Sequence, residues 1–465
     1  MEGRRPQFTT LLAASAVGVY LLVVAGATAS IADVVHSCST WPTCEGAVFG
    51  DVGLLVAWTH RLIAAAVGVL IVATAAVGVR SGANRRVLAA LLSGLALYPA
   101  QIALGAFVAT SGATGPFPGV HLATGMTIFA ALIAALAWQL EVETGSEDET
   151  PVKETIEVPE IDDEEPDGPA IADLSTRERL TATVYAYFRL MKPRLMWLLC
   201  LVAAAGMALA AGEELSTRTV LLTLGGGVLS IGASGTFNHV LERDIDKRMD
   251  RTSDRPIATH QLPVRNAMAF GIALAAGSLA LFWQVNALAA ALGLAAILFY
   301  SVVYTLVLKP NTVQNTVIGG LAGSLPALIG WVAVTGRFDL PGLALAGVIF
   351  LWTPAHFYNL ALAYKEDYAK GGFPMMPVVR GETETRKHIV YYLGATLIAA
   401  GAMVAITPLG PLYTITTALL GAVFLWAVVR LHREQSEQAA FRAFHASNAY
   451  LGALLLAIVV DALAL

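Results

Sequence analysis

Charge is scarce in this chain: 14% of its 465 residues are Asp, Glu, Lys or Arg, against about 25% in an average soluble domain. With 56% of residues hydrophobic and a mean hydropathy of +0.66, that shortage excludes a soluble globular enzyme. A basic excess is missing too. The formal net charge is -5 and no basic stripe interleaved with aromatics occurs, which excludes a nucleic-acid binder. Three cysteines, Cys38, Cys44 and Cys200, are too few for a disulfide scaffold. What is plentiful is long apolar sequence, so the lipid bilayer is the solvent.

A helix needs about 20 apolar residues to cross the hydrocarbon and must satisfy its own backbone hydrogen bonds there. Four such runs come first, at 10–32, 52–79, 87–110 and 121–140. Nine follow, at 195–212, 219–241, 267–285, 287–306, 316–335, 340–363, 389–406, 412–429 and 443–460. Between the two sets, residues 141–173 hold 14 acids and one base, Lys153. An acidic, Pro-containing stretch without aromatics cannot bury a core, so the expected organisation is a four-helix unit (1–140), a disordered linker (141–178) and a nine-helix unit (179–465). Short basic loops mark the cytoplasmic side. Arg4, Arg5, Arg80 to Arg86, Lys192, Arg194, Arg243 to Arg265, Lys309, Lys365 to Lys387 and Arg430 to Arg442 share one side if the spans alternate. That places the N-terminus, the linker and those loops in the cytoplasm, and the Cys38 to Cys44 loop outside.

The most informative stretch starts inside an apolar helix at Asn238 and runs through Glu242, Asp244, Asp246, Asp250, Arg251 and Arg255. Asn238, Glu242 and Asp246 are spaced i, i+4, i+8 and so share one helical face. Like charges in that array repel unless a cation sits between them, and hard oxygen donors without His or Cys suit Mg²⁺. Arg251 and Arg255 add planar donors for phosphate oxygens, so metal and guanidinium together point to a diphosphate. Such a charged loop is ordinarily a solvated cytoplasmic face, but ionisable groups at the membrane boundary are functional by default. A second cluster leaves another span on the same side: His356, then Tyr364, Lys365, Glu366, Asp367 and Tyr368, before Gly371, Gly372 and Pro374. His356 and Asp367 are about three turns apart.

Together these blocks resemble the UbiA-type membrane prenyltransferases, and among them most closely the protoheme IX farnesyltransferases. The likeness is carried by the Asn238 to Thr252 motif, Lys192-Pro193-Arg194, Tyr304-Thr305 with Lys309, Gln314-Asn315 through Gly319-Gly320, and Pro326. It continues through Gly330-Trp331, Trp352-Thr353-Pro354, His356-Phe357 and Asp367-Tyr368. It covers residues 180–465. Glu242 stands where that family usually has Asp, which keeps the carboxylate and lengthens its reach. The resemblance implies a nine-helix bundle around a lipid-accessible cavity, with Mg²⁺ held by Asn238, Glu242, Asp246 and Asp367. It implies catalytic roles for Arg251, Arg255, His356 and Lys365, and substrate contacts from Lys192, Arg194, Asp244, Tyr304 and Lys309. The implied reaction passes a farnesyl group from its diphosphate to the 2-vinyl group of heme B, water completing the heme O side chain for terminal oxidases. His356 would meet either the porphyrin propionates or the iron.

In the first unit, Cys38 and Cys44 close a loop short enough for a disulfide on the oxidising side. His60 sits about two turns into one span from the outer surface and His121 begins another from that same surface, a placement in which two imidazoles can ligate one heme iron. The Cys-x-x-Trp-Pro-x-Cys loop, His60-Arg61 and Val120-His121-Leu-Ala-Thr resemble the N-terminal half of heme A synthases over residues 8–140. Ala57 stands where that family has Glu three residues before the first His, which implies a unit that holds, delivers or receives heme rather than oxidising it. Heme A synthase or terminal-oxidase assembly factors are the protein partners this implies. Two other readings stay open: a UbiA-type enzyme acting on a quinone precursor or a glycerol ether lipid, and a heme carrier without transferase activity.

Overall fold

The computed structural model describes residues 5–31, 38, 40–44, 51–111, 115–145, 175–211 and 214–464. Most of the expected linker, 146–174, lies outside the described residues, and the described residues contain no strand. Among the described residues thirteen helices are long and apolar enough to cross a membrane, matching the thirteen runs, so the chain is a multi-pass membrane protein.

The helices in order are α1 (Arg5–Ile31), α2 (Val52–Arg80), α3 (Arg85–Ser111), α4 (Phe117–Thr144), α5 (Thr176–Leu190), α6 (Pro193–Ala211) and α7 (Thr217–Leu241). There follow α8 (Arg243–Asp246), α9 (Val264–Trp283), α10 (Ala287–Leu298), a π-helical segment (Phe299–Leu308) and α11 (Lys309–Asn311). The remainder are α12 (Asn315–Thr335), α13 (Leu340–Ala363), α14 (Lys365–Lys370), α15 (Met376–Val379), α16 (Glu382–Ile406), α17 (Pro411–Glu434) and α18 (Glu437–Ala464).

By contact the chain forms two compact units, residues 1–147 with 386–457, and residues 148–385 with 458–464. In the first, α1 packs against α2, α4 and α17, and α3 against α4. Its interior is apolar around Leu12, Ile71, Leu91 and Phe129, all buried. Several of the buried hydroxyls inside it are paired with one another, as buried hydroxyls usually are. Ser15 and Thr74 hydroxyls meet at 2.9 Å, and Thr417 Oγ1 lies 3.0 Å from the Tyr20 hydroxyl and 3.1 Å from that of Tyr450. Cys38 and Cys44 are joined by a disulfide.

The second unit is built on close helix pairs. α6 and α12 touch at reciprocal glycines: a Cβ on Gly206 would lie 2.4 Å from the Ala327 carbonyl oxygen, and one on Gly330 2.1 Å from that of Ala203. Small residues at a crossing bring backbones together where lipid offers no hydrophobic drive for association. α5 is too short to span. Its Ser175 and Glu178 form a capping box, with the Ser175 backbone N–H donating to Glu178 Oε2 at 3.0 Å. The turn from α5 into α6 places Lys192 in the left-handed region, φ 54°, ahead of Pro193. A lysine held there is strained and needs its surroundings to fix it. Gly235 supplies the space, since a Cβ there would sit 2.8 Å from the Leu190 carbonyl oxygen.

Candidate active site

The site is assembled at the end of α7. The chain turns from α7 into α8 without losing helical register: the Glu242 backbone N–H donates to the Asn238 carbonyl at 2.9 Å and that of Asp246 to the Glu242 carbonyl at 2.8 Å. The three side chains therefore stack as the spacing predicts, and all are buried, at 2%, 3% and 2% exposure. Buried carboxylates need partners. Lys309 Nζ donates to Glu242 Oε1 at 2.6 Å, and Arg255 Nη1 donates to both oxygens of Asp246 at 2.8 Å. Lys192 donates to Asn238 Oδ1, and its ammonium lies 3.4 Å from the Tyr300 hydroxyl. Burial, then the neighbouring Arg255 guanidinium, brings Lys192 down to about 7. Burial alone would raise Glu242, but Lys309 and Lys192 more than offset it and hold its carboxyl below the ordinary range.

Asp367 belongs to α14 and serves the same loop from the other side. Its Oδ1 accepts from the Asp250 backbone N–H at 2.6 Å and its Oδ2 from that of Arg251 at 3.4 Å. The Arg251 guanidinium stands over the rings of Tyr364 and Tyr368, 4.8 and 5.3 Å from their centroids, and donates to the Tyr368 hydroxyl at 3.3 Å. Expected among the metal ligands, Asp367 has both oxygens on backbone amides, an arrangement that shapes the Asp250-Arg251 turn.

Not every expected residue gathers here. Asp244 is exposed and pairs with Arg243, while Arg194 is exposed at the start of α6. Lys365 pairs with Glu382 rather than with the α7 carboxylates. His356 is buried in α13, stacked on Trp352 at 4.2 Å between centroids. Tyr304 packs beside Tyr300, 5.6 Å between centroids, with its ring 2.7 Å from where a Cβ on Gly319 would lie.

Three participants were given no site role by the sequence, although Thr305 belongs to the Tyr304-Thr305 block noted above. Tyr300 and Thr305 reach the site from the π-helical segment, where Thr305 Oγ1 accepts from Asn238 Nδ2 at 3.2 Å and donates to the Tyr300 carbonyl at 2.8 Å. Such wide turns often occur at functional sites. Phe373 lies under the Lys309 ammonium, 4.1 Å from its ring centroid. Only the paired aromatics and basic Lys309 could have hinted at these contacts.

The donor set is all oxygen, as Mg²⁺ requires, and among the described residues no three His, Cys, Asp or Glu side chains form a ready-made metal cluster. From this charged end an apolar cavity of about 730 Å³, counting its open mouth, runs between α6, α7, α9, α10 and α12. A charged, oxygen-rich head on a greasy cavity inside a helical bundle defines a membrane enzyme for an amphiphile with an anionic head.

The comparisons agree with that class. Residues 198–452 match the UbiA prenyltransferase family, and the chain belongs to it. It is 73% identical over 461 residues to the protoheme IX farnesyltransferase of Haloarcula marismortui, covering 98% of this chain and 99% of that one. Against protoheme IX farnesyltransferase 1 of Natronomonas pharaonis it is 63% identical over 461 residues, 99% of this chain and 100% of the relative. A solved digeranylgeranylglyceryl phosphate synthase superposes on 61% of this chain and 99% of its own, with TM-score 0.52 and 19% identity, a likeness of fold alone.

Proposed function

We propose that this chain farnesylates protoheme IX, passing the farnesyl group of farnesyl diphosphate to the 2-vinyl group of heme B to give heme O and diphosphate. The observation that supports it is the pairing of buried Glu242 and Asp246 with Lys309 and Arg255 at the mouth of an apolar cavity, in a chain so close to named protoheme IX farnesyltransferases. Asn238, Glu242 and Asp246 would hold Mg²⁺, which would supply positive charge to the departing diphosphate. Lys192, Lys309, Arg251 and Arg255 lie where charge grows on that leaving group and stabilise it as it develops. Asp367 holds the turn that carries Arg251. The bond from farnesyl C1 to oxygen breaks with its electron pair going to diphosphate, and the heme vinyl group supplies the pair for the new carbon–carbon bond. A water oxygen then closes the resulting cation and releases a proton. The apolar walls keep bulk water from the cation before it reacts. The basic loops around the site support a cytoplasmic position for it.

Membranes carrying the chain, given heme B, farnesyl diphosphate and Mg²⁺, are expected to yield heme O by mass analysis. Prenylation of a quinone precursor or a glycerol phosphate instead would overturn the reading.

Lys192 gives the reaction a pH dependence. Below about 7 its amine is charged and attracts the diphosphate; above that the attraction is lost. kcat/KM for farnesyl diphosphate is expected to fall as pH rises through 7, and Lys192→Arg, charged throughout, to remove that limb. The same limb in Lys192→Arg would show that another group titrates.

We further infer that the four-helix unit holds heme through His60 and His121. Each imidazole lies against a glycine on the next helix, so that a Cβ on Gly26 would come 3.1 Å from His60 Cε1 and one on Gly105 3.0 Å from His121 Cε1. Both Nδ1 atoms are buried without a hydrogen-bond partner, and Gln101 Nε2 lies 3.4 Å from His121 Nε2. His60→Ala with His121→Ala is expected to remove a bis-imidazole heme absorbance while farnesyl transfer persists. An unaltered spectrum would exclude the ligand pair.

A further inference from the structure

The cavity below the charged site carries one aromatic ring, Phe282, near its far end. Lys192 and Tyr300 line the mouth, while Thr223, Phe282 and Ile329 line the far end. Between Gly235 at the mouth and Thr223, the wall formed by α7 rises about 18 Å at 1.5 Å per residue. α9 leaves the site end at Val264 and delivers Phe282 one residue before its own far end. We propose that Phe282 is the stop against which the tail of the isoprenoid abuts, so that it sets the preference for a fifteen-carbon over a twenty-carbon diphosphate. The proposal rests on the farnesyl-transfer reading for its substrate class.

Phe282 is fully buried and cannot swing aside. Its ring is wedged between two helices at glycines: a Cβ on Gly293 would lie 2.5 Å from Cδ2, and one on Gly226 2.9 Å from Cε1. A close-packed ring without a free rotamer is a hard wall rather than an elastic one. The walls above it are apolar or small, so they admit a chain without specifying its length. Gly227, midway down α7, lines the cavity with no atom within 4 Å of where its Cβ would be. The passage is therefore open immediately above the ring, which meets α7 at the neighbouring Gly226. With the diphosphate at Asn238, Glu242 and Asp246, a longer chain must either displace the ring or withdraw its head from the basic residues.

Two substitutions change the cavity's depth in opposite directions. Phe282→Ala deepens the cavity, and Gly227→Leu fills the space just above the ring without deleting any core side chain. The full-length chain in membranes is offered heme B with equal geranyl, farnesyl and geranylgeranyl diphosphates, and products are counted by mass. Binding of the three corresponding thiolodiphosphates is measured alongside, which needs no acceptor. Phe282→Ala is expected to raise the twenty-carbon to fifteen-carbon ratio by about tenfold or more, the scale on which apolar pockets discriminate added carbon. Gly227→Leu is expected to lower the fifteen-carbon to ten-carbon ratio by about the same factor. Unchanged ratios in both variants, or a change only in the KM for heme B, would overturn the proposal. If wild type forms no prenylated heme, the activity reading fails, while the analogue binding ratios still decide the role of Phe282.

Discussion

Glu242→Ala or Asp246→Ala is expected to lower the rate of heme O formation by roughly 10²–10³, the usual loss when a preorganised group at the developing charge is removed. Each carboxylate is buried and tied to a base, Glu242 to Lys309 and Asp246 to Arg255. Deleting the acid strands its cation in a poorly solvated pocket, which destabilises by about 3–5 kcal/mol. Glu242→Gln separates the two effects: the amide oxygen still accepts from Lys309 and preserves packing, but the charge is gone. Both Glu242 variants are expected to retain heme absorbance while losing transfer, measured as initial rates of heme O formation. Activity within threefold of wild type in Glu242→Gln would mean that its charge does not take part.

Asp367→Ala is expected to lower kcat/KM by about 10²-fold through a different route, since the residue's oxygens hold backbone rather than substrate. Losing both amide contacts frees the Asp250-Arg251 turn, and a displacement of about 1 Å in a positioning group can cost that much. Asp367→Asn retains one accepting oxygen, so a partial rescue, nearer tenfold below wild type, is the mark of a positioning residue. Equal loss in both variants would instead point to the carboxylate as a metal ligand. Rates at saturating and limiting farnesyl diphosphate distinguish the outcomes.

Much of the architecture is legible in the sequence because bilayer thickness dictates it. Thirteen apolar runs become thirteen helices. The i, i+4, i+8 array is equally direct: one face of α7 continued into α8 brings Asn238, Glu242 and Asp246 together. The same geometry accounts for Asp244. Two residues from each neighbouring acid, it turns to the opposite face and is exposed. What spacing does not disclose is the choice of counter-ion. Arg255, nine residues past Asp246, and Lys309, 67 past Glu242, lie on the carboxylates, and Lys365 turns to Glu382, because pairing depends on how loops fold back. The π-helical register that presents Tyr300 and Thr305 is invisible too, since the run Phe299–Leu308 reads like any apolar span.

Packing also cuts the chain differently from similarity. The family match runs through residue 452, yet α16 from Arg386, α17 and most of α18 form their compact unit with α1 to α4. The Tyr20, Thr417 and Tyr450 hydroxyls and the Lys387 to Glu141 bond, 2.8 Å, tie those helices together. Hydropathy locates helices one by one and carries no record of which neighbour each will choose.

On the proposed reading, the α7–α8 carboxylates and a divalent cation jointly grip the diphosphate. Titration of the full-length protein with farnesyl thiolodiphosphate, with and without Mg²⁺, measures this grip apart from turnover. Mg²⁺-dependent binding in wild type that disappears in Glu242→Gln with Asp246→Asn is the predicted result. Binding of equal strength without Mg²⁺, or in the double variant, would contradict it.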